Sequence, residues 1–182
     1  MVGLAPLDFS LVIAFLLPGF VSLYALSVVS PRISGLMNTL AGKDASLGTS
    51  VAVLLAALAA GVMMSGMRAL VIDWLQHNTG VRRPDLNYRA LTDRAVLGAF
   101  KEAVANVYRF SQFYGNMFVA LLLLTILKFG LDLSSICAQP ALFALSLAGT
   151  VVLFLSHRRS LSQTYSRMTE ILTPSGKEAP KP

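Results

Sequence analysis

The sequence predicts an all-α integral membrane protein with four transmembrane helices, helical cytoplasmic extensions and cytoplasmic N and C termini. Three observations predict this fold class. Of the 182 residues, 55% are hydrophobic and only 13% are charged, whereas a soluble domain usually carries about 25% charged residues. The mean hydropathy is +0.66. Four apolar segments also reach the roughly 20 residues that a helix needs to cross a hydrocarbon core of about 30 Å. We therefore treat residues 1–182 as a single membrane domain.

The first span contains no charged residue, but Pro18 and Gly19 interrupt its middle. A proline inside a helix removes one backbone hydrogen bond, so we expect a kink at this point. A static packing kink and a functional hinge both fit this pattern. The four spans are predicted over 9–29, 49–75, 112–130 and 139–157.

The segments between the spans differ in length and polarity. A breaker-rich stretch follows the second span, and an amphipathic pattern then runs into the third. The fourth span continues as an amphipathic helix until a Pro- and Gly-containing stretch stops it. These patterns predict outer loops over 30–48 and 131–138, a cytoplasmic connector with an amphipathic helix over 76–111, a cytoplasmic helical extension over 158–172 and a disordered tail over 173–182.

The basic residues set the predicted orientation. Of the 15 Lys and Arg residues, this topology leaves Arg32, Lys43 and Lys128 on the outer side and the other twelve on the side of both termini. Because positively charged loops stay in the cytoplasm, we expect cytoplasmic termini in the plasma (inner) membrane. The net charge of +6 is then expected to meet anionic lipid headgroups, with no direct contact to nucleic acid. Cys137 falls in an outer loop, where an oxidising compartment would let it link two subunits.

A row of small residues on the second span predicts close helix packing. Ala57, Gly61, Ser65 and Ala69 recur at every fourth position, and small residues let helix backbones approach closely in lipid. The row can meet a helix of the same chain or a second copy of the protein. Together with the amphipathic extensions, it predicts a homo-oligomer.

Polar residues near or within the spans are candidates for hydrogen bonds between helices or for the lining of a pore. Asn116 and Thr125 lie in the third span, and a buried amide in hydrocarbon needs a partner on another helix or in a wet cavity. Asp73 and His77 are four residues apart near the inner interface and can pair on one helix face. No ionisable residue is expected at the bilayer centre, which disfavours a proton-coupled transporter or a voltage sensor.

The predicted cytoplasmic face combines an apolar stripe with basic residues. Leu97, Phe100 and Val104 share one face of the amphipathic helix in the connector. Such a face can pack within the chain, on a sister subunit, on a soluble partner or on anionic headgroups. The basic candidates for contact with a partner or with lipid are Arg82, Arg83, Arg158 and Arg159.

No catalytic motif occurs in the sequence, which lacks a Walker loop, G-x-S-x-G, H-E-x-x-H and C-x-x-C. No catalytic residue, cofactor or metal is therefore expected. The sequence predicts a non-enzymatic polytopic membrane subunit or sensor/scaffold that is homo-oligomeric and docks a soluble partner at its basic cytoplasmic face. A homo-oligomeric ion channel or membrane-perturbing pore, such as a stress or defence effector, is the alternative. The third hypothesis is a lipid-acting interfacial enzyme that uses Asp73 and His77.

Overall fold

The computed structural model describes residues 9–42, 46–81, 84–85, 88–103, 107–130 and 133–172, and within these ranges the protein is helical without a β-strand. Within the described ranges, π-helical turns and a 3-10 helix interrupt or connect the α-helices, and residues 107–108 before α6 are also π-helical. In chain order the elements are α1 (Phe9–Ser27), α2 (Pro31–Ala41), α3 (Leu47–Met67), a π-helix (Arg68–Ile72), α4 (Asp73–Asn78), a 3-10 helix (Tyr88–Thr92), α5 (Arg94–Ala103), α6 (Arg109–Thr125), a second π-helix (Ile126–Gly130), α7 (Leu133–Ala138) and α8 (Pro140–Leu172).

Three helices are long and apolar enough to cross a membrane. They cover Leu47–Asn78, Arg109–Gly130 and Pro140–Leu172, with 32, 22 and 33 residues. The first predicted span contains an apolar helical segment, Ile13–Ser27, which is shorter than these three helices. The all-helical class and the presence of membrane-compatible helices are thus confirmed, and the count of four spans stays a prediction.

The segment predicted as the first outer loop contains a helix. α2 begins at Pro31, directly after Ser30, where a proline loses nothing because the first helical N–H groups have no partner in the helix. α2 then contacts both α1 and α3. It covers the ends of these two helices on the side away from the long extension of α8.

α1 is the central helix of the bundle, since it packs against α3 on one side and α6 on the other, while α6 in turn packs against α8. The backbones of α1 and α3 approach each other so closely that only glycine fits. A Cβ atom on Gly19 would overlap the main-chain carbonyl of Ala57, and one on Gly61 would overlap that of Phe15. The small residues of the two helices thus create this contact within one chain.

The part of α8 beyond the apolar segment packs within the chain. Its buried residues Leu161, Met168 and Leu172 recur on one face of the helix, and α5 and the 3-10 helix contact α8. The two amphipathic segments of the connector and the extension therefore cover each other in part. Large apolar residues on the outer faces of α3 and α8 remain exposed, as expected of surfaces that contact lipid or a second copy.

Candidate functional site

The π-helix between α3 and α4 positions the most unusual side chains of the protein. In this turn the N–H of Asp73 donates to the carbonyl of Arg68, five residues earlier. In an α-helix, residues five apart point about 140° away from each other. The wider turn places them on one face, and π-turns of this kind are frequent at functional sites. Arg68 and Asp73 can therefore meet although their spacing is not that of an α-helical pair.

Arg68 is only 3% exposed and is bound on both sides of its guanidinium. Its Nη1 donates to Asp73 Oδ2 at 2.8 Å and to Oδ1 at 3.0 Å, which forms an ion pair. Its Nε donates to Asn116 Oδ1 on α6 at 3.2 Å. A buried charge is tolerated only when it is paired and hydrogen-bonded, and these contacts meet both conditions.

The side-chain amide of Asn116 replaces the hydrogen-bond donor that α1 lacks at Pro18. In an α-helix the carbonyl of Ala14 would accept from the N–H of residue 18, but proline has no N–H. Asn116 Nδ2 donates to this carbonyl instead, at 3.0 Å. One turn later, Ser22 Oγ donates to the carbonyl of Pro18 at 2.8 Å. The side chain of Asn116 on α6 thus supplies the donor that α1 lacks at Pro18.

His157 on α8 is fully buried and extends the network. Its Nε2 lies 3.1 Å from Asp73 Oδ1, and its Nδ1 lies 2.9 Å from the carbonyl of Ser111 and 3.2 Å from Ser111 Oγ. Carbonyl and carboxylate oxygens only accept, so both contacts are hydrogen bonds when each ring nitrogen carries a proton. With a proton on Nε2 alone, the Ser111 hydroxyl can donate to Nδ1, but the closer contact between Nδ1 and the Ser111 carbonyl then has no donor.

Two further buried residues surround this network. Gly115 gives it room, because a Cβ atom there would overlap Arg68 Cδ and would lie 3.0 Å from His157 Nδ1. Gln76, one turn after Asp73, is fully buried, and its side-chain amide has no hydrogen-bond partner in the described part of the chain. We name the set Arg68, Asp73, Ser111, Asn116 and His157 the buried ionic network. It connects α1, α3, α4, α6 and α8.

A second set of contacts fastens α8 to the end of α4. His77 Nδ1 donates to the main-chain carbonyl of Asp73, and its Nε2 lies 3.1 Å from the Tyr165 hydroxyl. Arg158 donates to Thr79 Oγ1 at 3.0 Å and to the Thr79 carbonyl at 2.7 Å. Thr79 precedes Gly80, whose φ of 107° is a backbone conformation that glycine adopts without strain. The turn that ends α4 is therefore the surface on which Arg158 docks.

Two open grooves flank α8 beyond its apolar segment. The larger one has a volume of about 770 Å³ and lies between α8 and the residues Gly80, Val81 and Pro84. Arg158, Arg159 and Glu170 are among its lining residues on α8. The smaller one has a volume of about 430 Å³ and lies between α6 and α8. Its lining residues are Val107, Phe110, Tyr114, Ser156, Arg159, Ser160 and Gln163. Arg159 contributes to both grooves.

The predicted small-residue row divides between two environments. Ala57 and Gly61 are buried against α1, whereas Ser65 is half-buried and Ala69 is exposed. After Gly61 the buried positions are Met64 and Arg68. The buried face of the helix therefore moves off the predicted row by one position between Gly61 and Met64. The first half of the row therefore serves a contact within the chain.

The polar candidates of the third span both face other helices. Asn116 joins the buried ionic network, and Thr125 contacts the Leu121 carbonyl and Ser146 Oγ on α8. Asp73 and His77 do meet on one helix face, but the imidazole binds the main chain of Asp73. The Asp73 carboxylate instead contacts Arg68 and His157, because the π-turn and α8 bring these two groups to it.

The residues predicted for the cytoplasmic face are only partly within the described residues. Leu97 and Phe100 are half-buried on α5, which packs against α8. Arg158 is half-buried at Thr79, and Arg159 is exposed. Cys137 is exposed on α7. Arg82, Arg83, Val104 and the tail 173–182 lie outside the described residues.

Sequence reasoning missed the contribution of Arg68, Ser111 and His157. Arg68 and His157 each stand at the end of a predicted span, where interfacial exposure is the ordinary expectation. One signal was available, since Arg68, Asp73 and His157 all fall near the same membrane boundary and carry complementary groups. Among the described residues, no cluster of three His, Cys, Asp or Glu side chains could hold a metal ion.

The buried ionic network is suited to holding helices together. Every oxygen of the Asp73 carboxylate has a partner, and neither groove includes a residue of the network among its lining residues.

In comparisons with protein-family models, curated proteins and solved structures, no significant match to this chain was found.

Proposed function

We propose that the protein is a non-enzymatic, homo-oligomeric membrane subunit or scaffold with four spans and cytoplasmic termini, which docks a soluble partner at its cytoplasmic face. One observation carries this proposal: the end of α8 beyond its apolar segment is fastened to the end of α4 by two independent contacts, Arg158–Thr79 and His77–Tyr165. A large groove opens beside these contacts. A surface held in this way needs little ordering when a partner binds.

The larger groove is the proposed docking site. Its lining residues come from α8 and from Gly80, Val81 and Pro84, and both charge signs are present in Arg159 and Glu170. A partner with complementary polar groups would gain specificity and encounter rate from such charges. The apolar stripe at Leu97 and Phe100 is a weaker candidate, because α5 already packs against α8.

The experiment is site-specific photo-crosslinking in cells, with the photoreactive residue at Ser166 in the groove or at Leu145 on the exposed face of α8. We expect a discrete adduct with one cytoplasmic protein from Ser166 and none with that protein from Leu145. Ser162→Trp, which fills the groove, should remove the adduct, and Ser162→Ala should keep it. An adduct that persists in Ser162→Trp would contradict docking in the groove.

The exposed apolar faces of α3 and α8 support the homo-oligomeric part of the proposal and also a pore built from several copies, the second candidate function. Leu145 and Val152 on α8 are 69% and 60% exposed. Asn116 and Thr125 are hydrogen-bonded inside the chain, so a pore would need lining residues from an interface between copies. Liposome flux that depends on Leu145 or Val152 and ignores Ser162→Trp would favour this candidate over docking.

A further inference from the structure

We propose that the smaller groove between α6 and α8 binds the phosphate of one anionic phospholipid, with Arg159 as its main ligand and the acyl chains along the outer face of α8. This inference rests on the proposed membrane topology and names a lipid ligand for the cytoplasmic boundary of the bundle.

The charge in the groove favours an anion. Arg159 is its one cationic lining residue, and no Asp or Glu lines it, whereas Glu170 lines the larger groove. Within the described residues, Arg159 makes no hydrogen bond or ion pair. The neighbouring Arg158 differs, because Thr79 binds both of its terminal nitrogens. Of these two adjacent arginines, Arg158 is bound within the chain, whereas the guanidinium of Arg159 is open to a phosphate.

The groove also offers neutral donors. Tyr114 and Gln163 are lining residues, and neither side chain has a hydrogen-bond partner among the residues that the structure describes. Tyr114 lies on α6, and Gln163 lies on α8 four residues after Arg159. A phosphate has several acceptor oxygens, so one group can bind Arg159 and at least one of these donors together.

The surroundings of the groove favour a lipid over a free anion. Val152, Leu155 and Arg159 follow one stripe of α8, and the first two are 60% and 56% exposed. Leu155 lines the larger groove, and Arg159, four residues later or about 6 Å along the helix axis, lines both grooves. Phe110, 58% exposed, forms part of the opposite wall. An apolar stripe that ends at a free guanidinium beside an aromatic ring matches the chemistry of an acyl chain followed by its phosphate.

The test is native mass spectrometry of the purified full chain in detergent, titrated separately with phosphatidylglycerol, phosphatidylcholine and inorganic phosphate. We expect one phosphatidylglycerol to be retained per chain. Phosphatidylcholine should bind about tenfold more weakly, because its choline cation meets no carboxylate in the groove. Inorganic phosphate in large excess should not displace the bound lipid, since it lacks the apolar contacts.

Matched variants locate the site. Arg159→Gln should weaken phosphatidylglycerol binding about tenfold or more, as loss of a charge-assisted hydrogen bond does, whereas Arg158→Gln should retain the lipid. Gln163→Leu should weaken binding to a smaller extent, which provides a second test if Arg159→Gln does not fold. Equal loss in Arg158→Gln and Arg159→Gln, equal retention of the two lipids, or displacement by phosphate would overturn the proposal. The readout is lipid mass on purified protein, so it can fail while the Ser166 crosslink persists, and the reverse.

Discussion

The hydrogen bond between Asn116 and the Ala14 carbonyl exists because Pro18 has no N–H, and this dependence can be measured. We predict that Asn116→Ala destabilises the protein strongly in the native background and less strongly in a Pro18→Ala background. In the second background, residue 18 has an N–H that can donate to Ala14, as in an uninterrupted helix. The two substitutions should therefore couple, although the side chains lie on different helices.

The structure sets the expected magnitudes. Asn116→Ala removes a donor to Ala14 and an acceptor from Arg68, and each buried polar group left unpaired costs about 1–3 kcal/mol. The total loss in the native background should be about 2–6 kcal/mol. The Pro18→Ala background restores a partner only to Ala14, so it should recover the value of one hydrogen bond. For hydrogen bonds between membrane helices this value is about 0.6 kcal/mol on average and up to about 1.7 kcal/mol.

The assay is equilibrium unfolding in mixed micelles on titration with dodecyl sulfate, followed by circular dichroism. The four proteins of the cycle are the native chain, Asn116→Ala, Pro18→Ala and the double variant, and the coupling energy is the departure from additivity. Thr125→Val serves as the control, because its partners are Leu121 and Ser146, and it should be additive with Pro18→Ala. A coupling energy below about 0.3 kcal/mol for Asn116 and Pro18 would refute the reasoning.

Three further predictions concern packing, charge and topology. Gly61→Leu should cost more than about 3 kcal/mol in the same unfolding assay, because the backbone of α1 occupies the space. Gly66→Leu should change stability by less than about 0.5 kcal/mol, since a Cβ atom there meets nothing within 4 Å. Comparable losses in the two variants would contradict the α1–α3 contact. Asp73→Asn should cost about 3–5 kcal/mol of stability by leaving Arg68 buried without its counter-charge. Adding Arg68→Met should recover part of this loss, as measured by thermal melting. A further loss in the double variant would show that the pair is not coupled. An impermeant maleimide should label Cys137 in intact cells while a C-terminal reporter is active only in the cytoplasm, and a reporter active only outside would reverse the predicted orientation.

The helical class and the membrane-compatible helices could be predicted because apolar periodicity and length are local properties of the chain. The need of Asn116 for a partner was also predictable, since it follows from the cost of an unpaired amide in hydrocarbon. The identity of that partner was not, because it depends on which turn of α1 lies beside α6. Sequence alone places Pro18 and Asn116 98 positions apart, and only the packing of the two helices joins them.

The buried ionic network could not be derived from spacing rules. Arg68 and Asp73 are five residues apart, and the i,i+3 and i,i+4 rules for helices exclude this pair. One π-turn changes the register and makes the pair possible. The same rules correctly brought Asp73 and His77 to one face, but they could not show that the Asp73 carboxylate is already bound to Arg68 and His157.

The continuity of α8 has a mechanical consequence. A single helix of 33 residues is about 50 Å long, so if it crosses a hydrocarbon core of about 30 Å, about 20 Å would project beyond it. Membrane helices accommodate a change in bilayer thickness by tilting. A tilt of about 10° would shift the far end, near Leu172, sideways by roughly 3 Å relative to the membrane boundary. Thinning or thickening of the bilayer would thereby move the surface at this end of α8 sideways, and the contacts of Arg158 and Tyr165 would transmit the movement to α4.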